Sequence, residues 1–394
     1  MHILTLSTYP IDNPLHGGQH RLFNIVQAYR DAGHTVQAAG VLGSDQYPIA
    51  SGFVPYPGTA PLTQHIANPF LMDDWAIGEL FSSDAHYFKS LVDAITTMPD
   101  LIHVEQPWLF KFATLFAKQH PNKKIKLIYG SQNIEHDMKF DIVKTYLGID
   151  AAHAAQEKVL LCETAAIALA DGICCVSQND LDWTKLKTKA PCVLAFNGVK
   201  SRKTTDEGVA EANAITGHKK FAVYCASAHP PNINGFFEIF GGGVGCIAPN
   251  ELIVIVGGAG NHILADARFA KAAGLSKVCI AAGTVSESCL QGLLDTSHTN
   301  ILPIRHGGGT NLKTAEALWS GKHIVATTTA LRGFESFNKS KGVAVADKPS
   351  EFLAAVRFAM ATPPNILSRE EQVQRKSVLW SEALKPLVTL ASSK

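Results

Sequence analysis

Short apolar runs alternate with longer stretches of helical periodicity from one end of the chain to the other, and this restricts its fold more than any other feature. The runs lie at 2–7, 36–41, 101–104, 125–129, 173–176 and 192–195, then at 221–226, 252–256, 278–281, 300–303, 323–326 and 342–345. Helical patterns separate them at 19–32, 86–97, 108–120, 151–170, 234–240, 286–295, 312–320 and 350–361. Runs such as LIVIVGG at 252–258 carry no apolar–polar alternation, so neither face of such a strand suits water. Strands of that kind, each followed by a helix, pack as a parallel sheet with helices over both faces. The expected class is α/β.

A chain of 394 residues exceeds what one growing core supports, and six apolar runs fall on each side of the polar segment 197–220. The reading is two doubly wound, Rossmann-like domains, 1–198 and 199–368. The final 369–394 is helical in pattern and expected to return to the first domain. Val373, Trp380, Leu384 and Leu387 are spaced as a buried stripe, and Pro386 is expected to kink or end the helix near its last turn.

Composition narrows the function classes. Hydrophobic residues at 46% and charged residues at 18% suit a well-buried globular chain. A net charge of +1 lacks the basic surface that a phosphate backbone requires, so no nucleic-acid partner is expected. The opening MHILTLSTYP has neither a basic stretch nor a long apolar one, so no signal peptide is expected, and polar residues interrupt every apolar run short of a membrane span. Eight cysteines without a C-x-x-C pair, several inside apolar runs, point to reduced buried thiols rather than a zinc or disulfide framework. The expected location is cytoplasmic.

The most informative stretch for chemistry is NILPIRHGGGTNLKTAEALWSGKHIVATT at 300–328. A strand ends near Pro303, the glycines Gly307, Gly308 and Gly309 follow, a helix starts near Asn311, and Gly321 stops it. Glycines let a backbone approach a ligand closely, and the free amides of a helix start attract anions. Lys313 and Glu316 lie about one turn apart on that helix, the one suited to neutralise phosphate and the other to accept hydrogen bonds from a ribose diol. A bare run of three glycines also suits an ordinary tight turn beside an exposed ion pair.

In full, the stretch resembles the signature of the GT-B glycosyltransferases, in particular the large retaining family four that includes glycogen-synthase-like enzymes. Pro303, Gly307, Gly309, Lys313, Glu316, Ala317, Gly321, Val325, Ala326 and Thr327 fit that signature in register. The resemblance implies two Rossmann-like domains facing across a cleft, with a C-terminal helix returning to the N-terminal domain. It implies that Glu316 holds the donor ribose and that Gly307, Gly308, Gly309, Thr310 and Asn311 face the diphosphate or sugar. Many members carry two glutamates eight residues apart, and the first of those positions is Gly308 here.

Other phrases extend the resemblance over nearly the whole chain. Gly17 and Gly18 open the first helix, as in the family, and would reach donor phosphates or acceptor. YGSQNIEHDM at 129–138 resembles the family's H-N-x-E segment with Gln132 in the histidine position, so Glu135 and His136 are candidate catalytic residues. The same phrase suits a helix N-cap. YCASAHPPNINGF at 224–236 lacks the family's usual basic pair and resembles a subset with a serine and P-N-x-x-G, which implicates Ser227 and Asn232. Arg305 would then supply the missing charge. AAGTV at 281–285 implies base contacts by Gly283 and Val285.

The function implied is transfer of a sugar from a nucleotide-diphosphate sugar to a glycan, lipid-linked or small-molecule acceptor, with retention of configuration. The nucleotide sugar is a co-substrate, and no cofactor is expected. A nucleotide-sugar epimerase or sugar phosphorylase of the same fold, or a non-catalytic two-lobed binder, are the alternatives. Asp180-Leu181-Asp182 has the Asp-x-Asp form that holds metal in another glycosyltransferase fold, but it stands at an apparent helix start, where acidic residues serve the dipole, so no metal is expected. Lys111, Lys118, Lys123, Lys124 and Lys126 suit a solvated charged face, and the resemblance also allows a peripheral contact with the inner face of a membrane.

Overall fold

The computed structural model describes residues 1–306 and 310–393. The chain divides into two compact units, residues 1–196 with 383–394, and residues 197–382.

Unit 1 holds strands β1 (His2–Ser7), β2 (Thr35–Val41), β3 (Phe53–Val54), β4 (Leu101–Glu105), β5 (Lys126–Ser131), β6 (Gly172–Cys175) and β7 (Cys192–Leu194). They form one sheet in the order β3-β2-β1-β4-β5-β6-β7, with every pair parallel. The helices used below are α1 (Gly17–Asp31), α2 (Asp73–Ser83), α3 (Phe110–Gln119), α4 (Glu135–Leu147), α5 (Ile149–Leu169) and α6 (Gln178–Lys185). Strand β4 is buried at all of its positions and β1 at all but the first, as expected of strands covered on both faces. Their apolar side chains join Trp108, Phe110, Phe112 and Tyr129 in one core.

Unit 2 holds α7 (Asp206–Thr216), β8 (Lys220–Cys225), α8 (Pro230–Phe240), β9 (Glu251–Val256), β10 (Cys279–Gly283), α9 (Glu287–Thr296), β11 (Thr299–Leu302), α10 (Leu312–Ser320), β12 (His323–Ala326), β13 (Val343–Val345), α11 (Pro349–Ala361) and α12 (Arg369–Arg375). Its sheet runs β10-β9-β8-β11-β12-β13, again parallel. In both sheets the chain order reverses beside the first strand, at β1/β4 and β8/β11, which is where ligands dock in doubly wound folds.

The division between the units falls at the start of the polar segment 197–220, and α7 occupies the centre of that segment, capped by Thr205 and ended by Gly217 at φ +59°. A Cβ on Gly292 would stand 2.0 Å from the Gly208 carbonyl oxygen, so glycines bring α7 and α9 too close for side chains, and polar residues remain outside. Residues 369–382 belong to unit 2, not to unit 1. The Arg375 guanidinium is buried there and donates to the Leu318 and Lys341 carbonyls, while the Trp380 amide bonds the Val199 carbonyl. Val373 is exposed, and Pro386 opens the final helix α13 (Lys385–Ser392) instead of ending one, since proline fits the first helical turn, where its missing N–H costs nothing. That helix lies in unit 1, where Leu390 packs on Gly172 and its carbonyl accepts from Lys126 Nζ at 2.6 Å. Among the described residues no helix is long and apolar enough to cross a membrane.

Candidate active site

In unit 2 the loops after β8 and β11 flank the β8/β11 reversal. Proline at the start of α8 fixes its first turn, and Asn232 is buried within that turn. Its side-chain amide donates to the Ser227 carbonyl at 3.0 Å and hydroxyl at 3.2 Å, and its Oδ1 accepts from Lys313 Nζ at 2.8 Å. Ser227, Asn232 and Lys313 therefore form one hydrogen-bonded line across the strand ends. Lys313 sits in the first turn of α10, where burial pushes its ammonium down to about 8, opposed by Cys225 and Glu316. Its ammonium has no carboxylate within ion-pair distance among the described residues.

Helix α10 is open at its start. Asn311 is the N-cap residue with an extended backbone, yet its side chain caps nothing. Thr310 is held by Asn197, whose Nδ2 donates to the Thr310 carbonyl at 3.3 Å. Uncapped first-turn amides beside a half-buried ammonium attract an anion. One turn on, burial pushes the Glu316 carboxyl up, against the pull of Arg202 and Lys313. Glu316 makes no hydrogen bond to another described residue, so both oxygens are available. Gly307, Gly308 and Gly309 lie outside the described residues.

The remaining unit 2 candidates are placed differently. Gly283 takes φ +67°, a conformation glycine adopts without strain, and a Cβ there would meet nothing within 4 Å. Val285 packs its side chain into the cluster around Leu293 and Phe221, which leaves its backbone for any ligand. Arg305 pairs with Glu238 at 2.9 Å and donates to the Asp347 carbonyl at 2.8 Å, so its charge is already compensated. Arg202, absent from the sequence reading, pairs with Glu287 and acts on Glu316 from the segment before α7.

In unit 1 the ends of β1, β4 and β5 carry a second polar cluster. Gly17 begins α1, and a Cβ on Gly18 would lie 3.2 Å from the Tyr9 ring and 3.3 Å from Gln132 Oε1. Gln132 Nε2 donates to the Tyr9 hydroxyl at 2.6 Å and also to Glu105. Glu105 is fully buried; burial alone would raise its carboxyl, but Arg21, His103 and Gln132 hold it down at about 2. His103 bonds Glu105 at 2.9 Å, and although burial disfavours its charge, Cys174 and Glu105 raise it to about 9. Arg21, His103 and Glu105 escaped the sequence reading because they sit inside apolar runs or at helix positions without a motif.

Glu135 and His136 open α4. The cap is tertiary: Glu163 on α5 accepts from the Glu135 amide at 3.0 Å, the His136 amide at 3.4 Å and His136 Nδ1 at 2.7 Å. Burial, then the charge of Glu163, pushes the Glu135 carboxyl up to about 8. Its Oε1 accepts from Gln106 at 3.3 Å and Asn133 at 3.2 Å, while Oε2 is buried without a partner. Both donors address Oε1, and Oε2 lies sealed from solvent. Gln106 reaches this place with φ +66°, a strained value for a residue with a side chain.

Asp180 and Asp182 do not converge. They lie at the start of α6, where Ser177 caps the Asp180 amide at 3.2 Å; Asp180 is buried, and Asp182 is exposed and accepts from Gln178 at 2.6 Å.

Two parallel doubly wound α/β units with this chain order make up the GT-B fold of glycosyltransferases. Among solved structures, sucrose-phosphate synthase from Thermosynechococcus elongatus is similar over 99% of this chain and 98% of its own, at TM-score 0.72 and 14% identity. The α,α-trehalose-phosphate synthase (UDP-forming) from Burkholderia vietnamiensis is similar over the whole of both chains, at TM-score 0.61 and 12% identity. The Anabaena protein HepE, solved in complex with UDP-glucose, covers 99% of this chain and 94% of its own at 0.57 and 13%. No family model and no curated protein matches the sequence.

Proposed function

We propose that the chain is a nucleotide-sugar-dependent glycosyltransferase, with unit 2 binding the donor and unit 1 the acceptor. The observation that carries this reading is the Lys313 ammonium, half-buried and without a carboxylate partner among the described residues, at an uncapped helix start one turn from Glu316, which bonds no other described residue. A diphosphate supplies the missing countercharge, and a ribose diol supplies two donors for the carboxylate. Uridine diphosphate sugars are the first donors to test, since the UDP-forming synthase and the UDP-glucose complex share the fold.

In the reaction the bond from the anomeric carbon to the diphosphate oxygen breaks, and a bond from that carbon to an acceptor hydroxyl oxygen forms. The charge left on the diphosphate meets Lys313 and the amides of α10, a preorganised positive field that stabilises the leaving group without a protein nucleophile or a metal. The departing phosphate takes the acceptor proton, which corresponds to a retaining reaction of the family-four kind. Glu135 is fully buried, so it holds the side chains of Gln106 and Asn133 in place at the strand ends of unit 1.

Calorimetric titration with a panel of nucleotide sugars, followed by product analysis with and without sugar and sugar-phosphate acceptors, tests the proposal. Binding of one nucleotide sugar and acceptor-dependent release of its diphosphate are expected. Conversion of the nucleotide sugar to its epimer without acceptor would establish an epimerase instead, and binding without any turnover a non-catalytic protein.

A further inference from the structure

The loops that follow β1, β2, β4, β5 and β6 in unit 1 (8–16, 42–52, 106–109, 132–134 and 176–177) hold no lysine or arginine. Two of them carry the exposed acids Asp12 and Asp45. The buried cations Arg21 and Lys139, on α1 and α4, are committed elsewhere. Arg21 bonds Glu105, the Ala195 carbonyl and Cys174, and Lys139 bonds Asp74 and the Leu71 carbonyl. His16 bonds the Tyr47 hydroxyl at 3.0 Å, and burial and the neighbouring His20 push it toward its neutral form.

The positive feature that remains at these loops is the start of α1, where no side chain caps the first-turn amides. A helix start carries about half an elementary charge, whereas a phosphate monoester carries about 1.5 to 2 negative charges at pH 7. A phosphate there would lack most of its countercharge.

A fixed hydrogen-bond acceptor stands at the same place. Gln132 Nε2 gives its hydrogens to the Tyr9 hydroxyl and to Glu105, and Glu105, ionised between Arg21 and His103, can only accept. Turned over, the amide would set its oxygen against that carboxylate, so its orientation is locked. Oε1 accepts from no described residue, and a Cβ on Gly18 would stand 3.3 Å from it, so glycine keeps the space before it open. A hydroxyl supplies the missing donor. A phosphate dianion has no proton to give and would meet a lone pair.

We propose that the acceptor is an uncharged polyol, a sugar or glycan unit without phosphate, one of whose hydroxyls donates to Gln132 Oε1. The inference rests on the proposed function, with unit 1 as the acceptor side, and narrows its acceptor class.

Transfer from the nucleotide sugar is measured with neutral mono- and oligosaccharides and with the phosphate esters of the same sugars, beside calorimetric titration with UDP. At least one neutral sugar is expected to exceed its own ester 10-fold or more in kcat/KM. Gln132→Leu should lower that kcat/KM about 10-fold or more, with UDP affinity and melting temperature unchanged. An ester used as well as or better than its neutral sugar, turnover of no neutral sugar, or unchanged kcat/KM in the folded variant would overturn the inference. UDP binding together with preference for an ester would sink this inference alone, whereas absence of UDP binding would sink the proposed function with it.

Discussion

Replacing Lys313 by methionine should move stability and ligand binding in opposite directions. The side chain is one atom shorter and loses its charge. In the free protein burial has lowered the ammonium from 10.5 to about 8, and a shift of that size corresponds to about 3 kcal/mol of cost on the charged form near neutrality. Methionine removes that cost but leaves Asn232 Oδ1 without its donor, a loss of about 1 kcal/mol. The ligand-free variant should thus be more stable at pH 7 by about 2 kcal/mol, read as a higher urea midpoint. Loss of a charge-assisted bond to the diphosphate costs about 1.5–3 kcal/mol, so UDP should bind about 10- to 150-fold more weakly by calorimetry.

The pH dependence follows the same sign. The folded pKa lies below the unfolded one, so between about 8 and 10.5 the unfolded chain binds more protons, and the contribution of Lys313 to stability rises with pH across that window. UDP affinity should fall as pH rises through about 8, with proton uptake on binding, and the variant should lose both trends. A destabilised variant that binds UDP with unchanged affinity would refute the reasoning, because Lys313 would then be a structural hydrogen-bond donor only.

Glu316→Ala should lower kcat/KM for the nucleotide sugar by about 10- to 150-fold, the loss of a charge-assisted bond, while the melting temperature does not fall, since its carboxylate bonds no described residue; steady-state kinetics with a melting curve check both. In wild type the Glu135 carboxyl, raised from 4.5 to about 8, makes stability fall as pH rises between those values, and Glu135→Gln should flatten that decline in melting temperature from pH 5 to 8. Transfer activity should survive EDTA, and Asp182→Asn should change turnover little; complete loss restored by magnesium or manganese would overturn the metal-free mechanism.

The chain's strands were legible because a strand buried on both faces must be written as an unbroken apolar run. LIVIVGG reads directly as β9, and the run at 2–7 as β1. Two-residue β3 at Phe53–Val54 is too short to produce a pattern, and α7 was hidden because it packs through glycines rather than an apolar stripe. Helix α10 was legible from both ends, with Asn311 before it and Gly321 in a left-handed conformation after it.

What the amino-acid order by itself determined is the α/β class, the place of nearly every strand and the helix start that bears Lys313 and Glu316, because periodicity and turn chemistry act over a few neighbouring residues. Only the tertiary structure decided which charges meet: Glu163 at the start of α4, Arg21 and His103 on Glu105, Arg375 on the carbonyls of Leu318 and Lys341. Apart from His103, which shares a strand face with Glu105, those partners stand from 28 to 84 residues apart in the chain. Local patterning carries no record of such pairs, because each acquires its energy only when packing removes the surrounding water.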